Sequence, residues 1–536
     1  MKRYYIIVAV LLLGATACTK NFEKYNTDNT GVSNGQLSPD FNDLGSYLTR
    51  AQRSILNFSG GGDPNSYQVQ QNLNADCFSG YFMSSNPFNG GINNTNYYMM
   101  TGWNGEAFKV GYLNVMAPIQ KLRQNGYDTL YPSVWAVAKI IQVAAMSRVT
   151  DIYGPIPYSQ AGSDKTNLPY DSQEEIYKRF FLELDTATTN LQHYLAAADT
   201  LPFTFANFDL VYSGNFTKWL QFANSLRLRL AMHIVKADAT TAQAQAEKAL
   251  NSANGDVITA NSGNATVTLS GSFTNPLVYI TENWGDIRMG ADIGVYLNGY
   301  NDPRISKYMD KATDDAVSGQ YIGIRLGSIT SANTKSDYLD YSSLNYKDGS
   351  PSFTLTTPVQ IMTAAEVYFL RAEAAVRGWA NAGGTAQELY NEGITTSMTQ
   401  WGATIGNYLE DATSTPAAYV DPKNSENDAD APSTITIKWD DAATTDVKME
   451  RIITQKWIAM FPEGQEAWTE HRRTGYPKMF PVVHNQSAGV VNDTLGVRRL
   501  PYPQQEYNTN ATELQKGISL LGGSDNAATR LWWDKN

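Results

Sequence analysis

Two scarcities narrow this 536-residue chain at once: it has only two cysteines, Cys18 and Cys77, and only four histidines, His193, His233, His471 and His484. With Cys18 at the end of an apolar leader, Cys77 stands alone, so no disulfide framework is available and stability rests on packing. Neither C-x-x-C nor H-E-x-x-H occurs, which removes the common zinc patterns, and no nucleotide-binding glycine loop is present. Basic residues are also in deficit, 41 against 52 acidic, for a formal net charge of −11. Phosphate neutralisation demands a basic footprint, so nucleic acid is set aside as a partner. Long apolar runs are missing as well. The one such run, Tyr4 to Leu13, falls far short of the roughly 20 residues that a membrane helix requires.

The chain is rich in other things. Hydrophobic residues make up 42% of it, and 32 Tyr with 11 Trp raise the aromatic share to 12%. That is enough apolar material for large cores, and it rules out a disordered or collagen-like chain. Rings among plentiful Asn, Gly and Thr suit stacking and hydrogen bonding with neutral polar ligands. The start is equally informative. Lys2 and Arg3, the apolar stretch and Gly14-Ala15-Thr16-Ala17-Cys18 read as a signal peptide over residues 1–17. The cysteine after Ala15-Thr16-Ala17 resembles a bacterial lipobox, with Ala15 where Leu is preferred, and this implies a lipid on Cys18. Residues 18–40 are polar and turn-rich and read as a tether, leaving 41–536 as a single domain.

Helical periodicity recurs over 41–57, 65–83, 103–124, 132–150, 172–197, 215–236, 242–252, 359–378, 385–400 and 447–473, so the expected fold is mainly α. Trp219, Phe222, Ala223 and Leu226 match the opening of a tetratricopeptide helix, with Ala in place of Gly. A second pair places Ala372 and Ala375 on one helix, a turn at Gly383-Gly384, and Ala386, Tyr390 and Gly393 on the next, a small-large-small spacing that allows close approach. Residues 255–358 break this pattern and read as loops with short hairpins, for example at Ala265-Thr266-Val267-Thr268-Leu269. Residues 402–445 read as a second excursion. Long loops inside a domain are where ligands are usually met.

Motifs that could carry chemistry have bland readings that weigh more. Gly31-Val32-Ser33-Asn34-Gly35 spells the serine-hydrolase string, but it lies in the tether without the strand and helix that the motif needs. Asn424, Glu426, Asp428 and Asp430 alternate like calcium ligands, yet the glycine and closing glutamate are missing, so a solvated loop is expected and no metal is assigned. Glu463, Glu466, Glu470 and His471 sit at helical spacing beside Arg472 and Arg473. They could be an acid-base pair, but an ion-pair network fixing a helix end is the expectation. Glu366, Arg371 and Glu373 are read as packing a helix pair, and Pro155 and Pro157 as ending a helix. Cys77, next to Asp76, lacks the electropositive neighbourhood of a reactive thiol and is expected to be a small buried hydrophobe.

Several motifs carry a resemblance. Thr150-Asp151-Ile152-Tyr153-Gly154-Pro155-Ile156-Pro157-Tyr158, Asn301-Asp302-Pro303-Arg304, the segment Met362 to Ala374, the segment Phe461 to Pro477 and Arg499-Leu500-Pro501-Tyr502-Pro503 occur in this order. With the lipobox-like start, the chain resembles the SusD/RagB family of nutrient-binding outer-membrane lipoproteins of Bacteroidetes. The resemblance implies about four tetratricopeptide-like helix pairs packed against an irregular loop-rich ligand-binding region. It also implies an anchored protein at the outer membrane, facing the cell exterior. There it would act as the lid of a SusC-like TonB-dependent transporter, capturing an oligosaccharide or a peptide. No cofactor and no catalysis are implied.

Ligand residues vary within such a family, so they are read from context alone. Tyr97, Tyr98 and Trp103 follow the run Gly90-Gly91-Ile92-Asn93-Asn94, while Trp284 and Tyr341 lie in the loop-rich middle. These five are the candidate ligand-binding residues, as a group of rings beside polar neighbours. Two rivals stay open at this point. A glycosidase would show two carboxyl groups about 5 to 9.5 Å apart in an aromatic cleft. A tetratricopeptide adaptor would bind protein and no small ligand.

Overall fold

Local capping explains where the long helices begin and end in the computed structural model, which describes residues 39–56, 64–163, 165, 167–269, 271–330, 332–347 and 349–536. The leader, Cys18, the Gly31 to Gly35 string and the tether as far as residue 38 lie outside the described residues. Helix α1 (Pro132–Tyr153) opens on a proline, where no intrahelical N–H is lost, and stops at Gly154 with φ 86°. Helix α2 (Gln173–Ala197) starts with a reciprocal box between Ser172 and Glu175. Asn215 and Asp238 cap α3 (Phe216–His233) and α4 (Ala239–Leu250) with their side-chain oxygens. Thr363 does the same for α5 (Ala364–Val376), a Thr385–Glu388 box for α6 (Ala386–Gln400), and Thr444 for α7 (Thr445–Met460). Helix α8 (Gly464–Thr474) ends at Gly475, φ 81°. Each cap satisfies N–H groups that a helix start leaves open.

The chain divides into a short unit ending at Ser46 and a large one, Tyr47–Asn536. In the first, Pro39–Phe41 form a 3₁₀ turn before the helix Asn42–Arg53 begins. In the second, α1 packs on α2, α2 on α3, α3 on α4, and α5 on α6 and α7. The fold is mainly helical, as expected. Gly393 lies so close to α5 that a Cβ there would sit 2.8 Å from the Phe369 ring, the close approach that its small-residue spacing suggested. Among the described residues no helix is long and apolar enough to cross a membrane.

Strands are short and come from distant parts of the chain. β1 (Phe82–Ser84) pairs antiparallel with β3 (Ile287–Met289), and β2 (Ala265–Val267) with β4 (Val359–Met362), the latter across a register shift at Ala265/Thr266. This departs from the sequence reading in three places. The strand at Ala265 finds its partner far along the chain rather than in a local hairpin. The helix expected from residue 359 starts at Ala364, because Val359–Met362 is taken by that pairing. The span 447–473 is two helices, broken at Phe461-Pro462-Glu463. The middle region also contains a helix, Ala291–Gly299, whose residues Ala291 to Leu297 are all buried. Buried on every side, it has no polar face and so no helical period.

The quoted motifs meet in the interior. Arg304, fully buried, reaches both Asp302 oxygens at 2.9 and 2.6 Å, Ser397 Oγ at 3.0 Å and Gln455 Oε1 at 3.0 Å, joining three segments. Arg472 donates to the carbonyls of Asp151 at 2.7 Å and Arg498 at 2.8 Å. Tyr502 donates to Pro155 O at 2.7 Å and Leu500 N to Ile152 O at 3.0 Å. Arg371 holds the inter-helix turn through Ala382 O at 2.8 Å. Cys77 is buried and free, and burial beside Asp76 pushes its thiol well up.

Candidate ligand-binding site

The asparagine run before the candidate rings is a scaffold. Asn94 donates to Asn74 at 2.6 Å and to Asn104 at 2.9 Å and accepts from Met100 N at 2.7 Å, while Asn93 caps the turn through Thr95 N at 2.9 Å. All four asparagines are buried, and buried amides hold position only when their bonds are complete. They anchor the loop over residues 86–100. Tyr97 follows in the left-handed region, φ 69°, which turns its ring inward, 6.3 Å and edge-on to Phe78. It is only 4% exposed. Its neighbour Tyr98 stands out at 46% exposed, and Trp103 is half-buried with its edge to Phe88 at 6.0 Å.

The other two candidates sit on loops tied to this one. Trp284 is half-buried, perpendicular to Tyr279 at 5.5 Å. Lys335 Nζ binds its carbonyl and also Asp286 Oδ1 at 2.6 Å. Asp286 in turn accepts from Asn86 at 2.9 Å, and Asn333 donates to Gly90 O at 3.0 Å. Tyr341 is 2% exposed, with its hydroxyl on Asp421 at 2.8 Å. Tyr338 binds the other Asp421 oxygen at 2.7 Å, and Asn427 donates to Asp421 at 2.8 Å. Burial and the Asp421 carboxylate both push the two phenols up, so they stay protonated donors.

Bonds through Asp286 and Asn333 join the segment before Tyr97 to those after Trp284 in one layer, and the five rings stand in two states of burial. Tyr98 is exposed and Trp103 and Trp284 are half-buried, whereas Tyr97 and Tyr341 are buried. The sequence does not show which ring faces solvent, because that depends on the Tyr97 backbone and on Asp421, which is 80 residues from Tyr341. Asn86, Asp286, Asn333, Lys335 and Asp421, which hold the layer together, carry no sequence signal of that role. Their carboxylates are engaged: Asp286 by Asn86, Gln68 and Lys335, and Asp421 by two tyrosines and an amide. The alternating acidic loop serves its own turns, with Asn424 accepting from Glu426 N at 3.0 Å and Asp428 from Asp421 N at 2.7 Å.

The second cluster of charges is a buried ion-pair network. Glu466 Oε1 lies 3.0 Å from His233, Glu366 pairs with Arg229 at 2.6 Å, and Arg473 bridges Glu373 and Glu470, both at 2.7 Å. Burial alone would lower the His233 imidazolium, but Glu466 and Asp151 carry it up to about 9. Conversely, burial would raise Glu466, yet His233 and Arg229 hold it well below the usual carboxylate range. His471 is a separate case. Burial and Arg498 push it down to about 3, and its Nδ1–H donates to Pro477 O at 3.1 Å. His233, Glu466 and Glu470 place ligand-type atoms within 4.8 Å of one another. Lys456 Nζ, 3.7 Å from Glu466 and 3.2 Å from Glu470, already neutralises that place. All of these side chains are buried, so the cluster is an internal brace.

Comparison with known proteins adds the family context. A family model described as SusD-like, SusD and RagB outer membrane lipoprotein, matches residues 24–534. A chitin-binding SusD homologue from Flavobacterium johnsoniae is 42% identical with a TM-score of 0.86, covering 92% of this chain and 99% of its own. SusD homologues from Bacteroides uniformis and Bacteroides vulgatus are 39% and 37% identical, with TM-scores of 0.84 and 0.86. They cover 92% and 93% of this chain and 99% of theirs. No curated protein matches the chain.

Proposed function

Because the chain belongs to the SusD-like family of SusD and RagB outer membrane lipoproteins, we propose that it binds an oligosaccharide at the cell surface and delivers it to a SusC-like TonB-dependent transporter. A lipid on Cys18 would hold it at the outer membrane, facing outward. The observation that supports this reading is the exposed Tyr98 near the half-buried Trp103 on a scaffold of bonded amides, with the half-buried Trp284 held by Lys335 through its carbonyl. Sugar faces stack on such rings while amides meet hydroxyls. The likeness to a chitin-binding homologue favours a glycan over a peptide. Capture needs no covalent step, and the layer's carboxylates are already bonded.

The test is calorimetric titration of the full-length protein in detergent with chitooligosaccharides, other oligosaccharides and peptides, with product analysis alongside. Binding without turnover, weakened about tenfold by Trp103→Ala or Trp284→Ala, is expected. Shortened products would establish a glycosidase instead. Binding of peptides alone would move the ligand class, and binding of nothing but the transporter would favour an adaptor.

A further inference from the structure

A pocket of about 80 Å³ lies between the helix Ala117–Gln124, α1, α2 and the turn after α1, and shares no residue with the loop layer. Its wall follows from helical spacing. Gln120 and Arg123 are three apart on the first helix, Lys139 and Gln142 three apart on α1, and Arg179 and Glu183 four apart on α2, so each helix turns one face to the pocket. The space exceeds the roughly 30 Å³ share of one water but stays far below the roughly 300 Å³ at which ligand pockets for larger molecules begin. It suits a single small group.

The lining carries three cations, Arg123, Lys139 and Arg179, against one carboxylate, Glu183. That carboxylate has both oxygens engaged: Oε1 accepts from Lys139 at 2.8 Å and Arg179 at 3.5 Å, and Oε2 from the Tyr158 hydroxyl. Asp128, 3.7 Å from Arg123, and Asp171, held by Tyr158 N, Ser159 N and Ser159 Oγ, stay outside the lining. Donors are left over. Lys139 spends one of its three N–H groups on Glu183, and among the described residues Arg179 and Arg123 reach their acidic partners through Nε, which leaves their terminal nitrogens. The Lys139 side chain is 17% exposed, whereas those of Arg123 and Arg179 are more than half exposed. Burial first, and then Arg179 and Arg123, push the Lys139 ammonium down, while Glu183 pulls it up. Three cations therefore gather around one shared counter-charge, in a chain whose net charge is −11 and which offers anions no diffuse attraction. An anion that bridges them relieves that repulsion.

We propose that this pocket binds one small oxyanion group of phosphate or sulfate type. Lys139 meets it from the base, and the terminal nitrogens of Arg123 and Arg179 meet it from the solvent side, as planar forks matched to such oxygens. The group arrives as a free ion or as the end of a larger molecule, since both arginines reach solvent. The assignment does not rest on the reading of the loop layer.

The experiment titrates inorganic phosphate into the full-length protein in a nonionic detergent at low ionic strength, read by phosphorus NMR line broadening, with sulfate and phenyl phosphate as competitors. Saturable binding displaced by sulfate is expected, weakened about fivefold by Arg179→Gln or Arg123→Gln and abolished by Lys139→Gln. Lys178→Gln, which removes an exposed cation of α2 that does not line the pocket, leaves it unchanged. Displacement by phenyl phosphate as well identifies a group carried on a larger molecule, and binding of the free ions alone identifies the ion itself. If Lys139→Gln fails to fold by circular dichroism, the two arginine variants, which alter exposed side chains, still decide. No saturable binding, binding indifferent to both arginine variants, or equal weakening by Lys178→Gln overturns the proposal.

Discussion

Replacing Arg473 by methionine tests whether the family's densest motif is architecture. The guanidinium is 1% exposed and makes four bonds to two carboxylates: to Glu373 at 2.8 and 2.7 Å, and to Glu470 at 2.9 and 2.7 Å. Methionine fills similar space without a charge, so two buried carboxylates lose their best partner. Removing one member of a buried pair costs about 3–5 kcal/mol, because the other charge is left uncompensated. Glu373 keeps Arg377 at 2.7 Å and Glu470 keeps Lys456 at 3.2 Å, which argues for the lower end, about 3 kcal/mol. Urea unfolding followed by tryptophan fluorescence and near-ultraviolet dichroism reads this directly. A second signature is pH. Burial would raise Glu373, but Arg473 and Arg377 hold it far below the carboxylate range. Its stabilisation is therefore present above pH ~4.5 and lost as pH falls through its folded value. In Arg473→Met that acid-side loss shrinks, and Arg473→Met/Glu373→Gln recovers part of the deficit. A loss below about 1 kcal/mol, or no recovery in the double variant, would refute the brace and reopen a catalytic role for this cluster.

Two further outcomes follow from the same interior. His233, carried up to about 9 by Glu466 and Asp151 against its burial, has a folded value above the unfolded ~6.5, so its contribution is complete below pH ~6.5 and is lost as pH rises through 9. About 3 kcal/mol should disappear from urea-derived stability between pH ~6.5 and ~10. The same slope in His233→Gln would show that the histidine is not its source. Gly323→Ala should cost about 1–3 kcal/mol in thermal unfolding. Its Cβ would lie 2.3 Å from Gly290 O, a backbone atom that cannot swing aside, and an unchanged melting temperature would contradict that contact.

The legible parts of the sequence are those governed by neighbours in the chain. The helices expected from periodicity over 172–197 and 385–400 begin there, where Ser172 with Glu175 and Thr385 with Glu388 close capping boxes over three residues. The Gly393 spacing foretold close approach because a helix face repeats locally. The charged cluster around Glu466 and Arg473 was legible as ion pairs because its members share a helix. Its partners Glu373 and His233 were not, since they arrive 100 and 233 residues away. The burial of a single ring was equally illegible: adjacent Tyr97 and Tyr98 look alike in sequence, yet one turns inward through a left-handed backbone and the other does not.

The sequence by itself determined the mainly helical class and the family through its ordered motifs, since these follow from local periodicity and short contiguous segments. Tertiary structure alone decided which rings are buried, that Ala265–Val267 pairs with Val359–Met362, and that Ala291–Gly299 is a helix with no polar face. Each of these depends on contacts between segments distant in the chain, where burial and pairing are set by the partner and not by the residue.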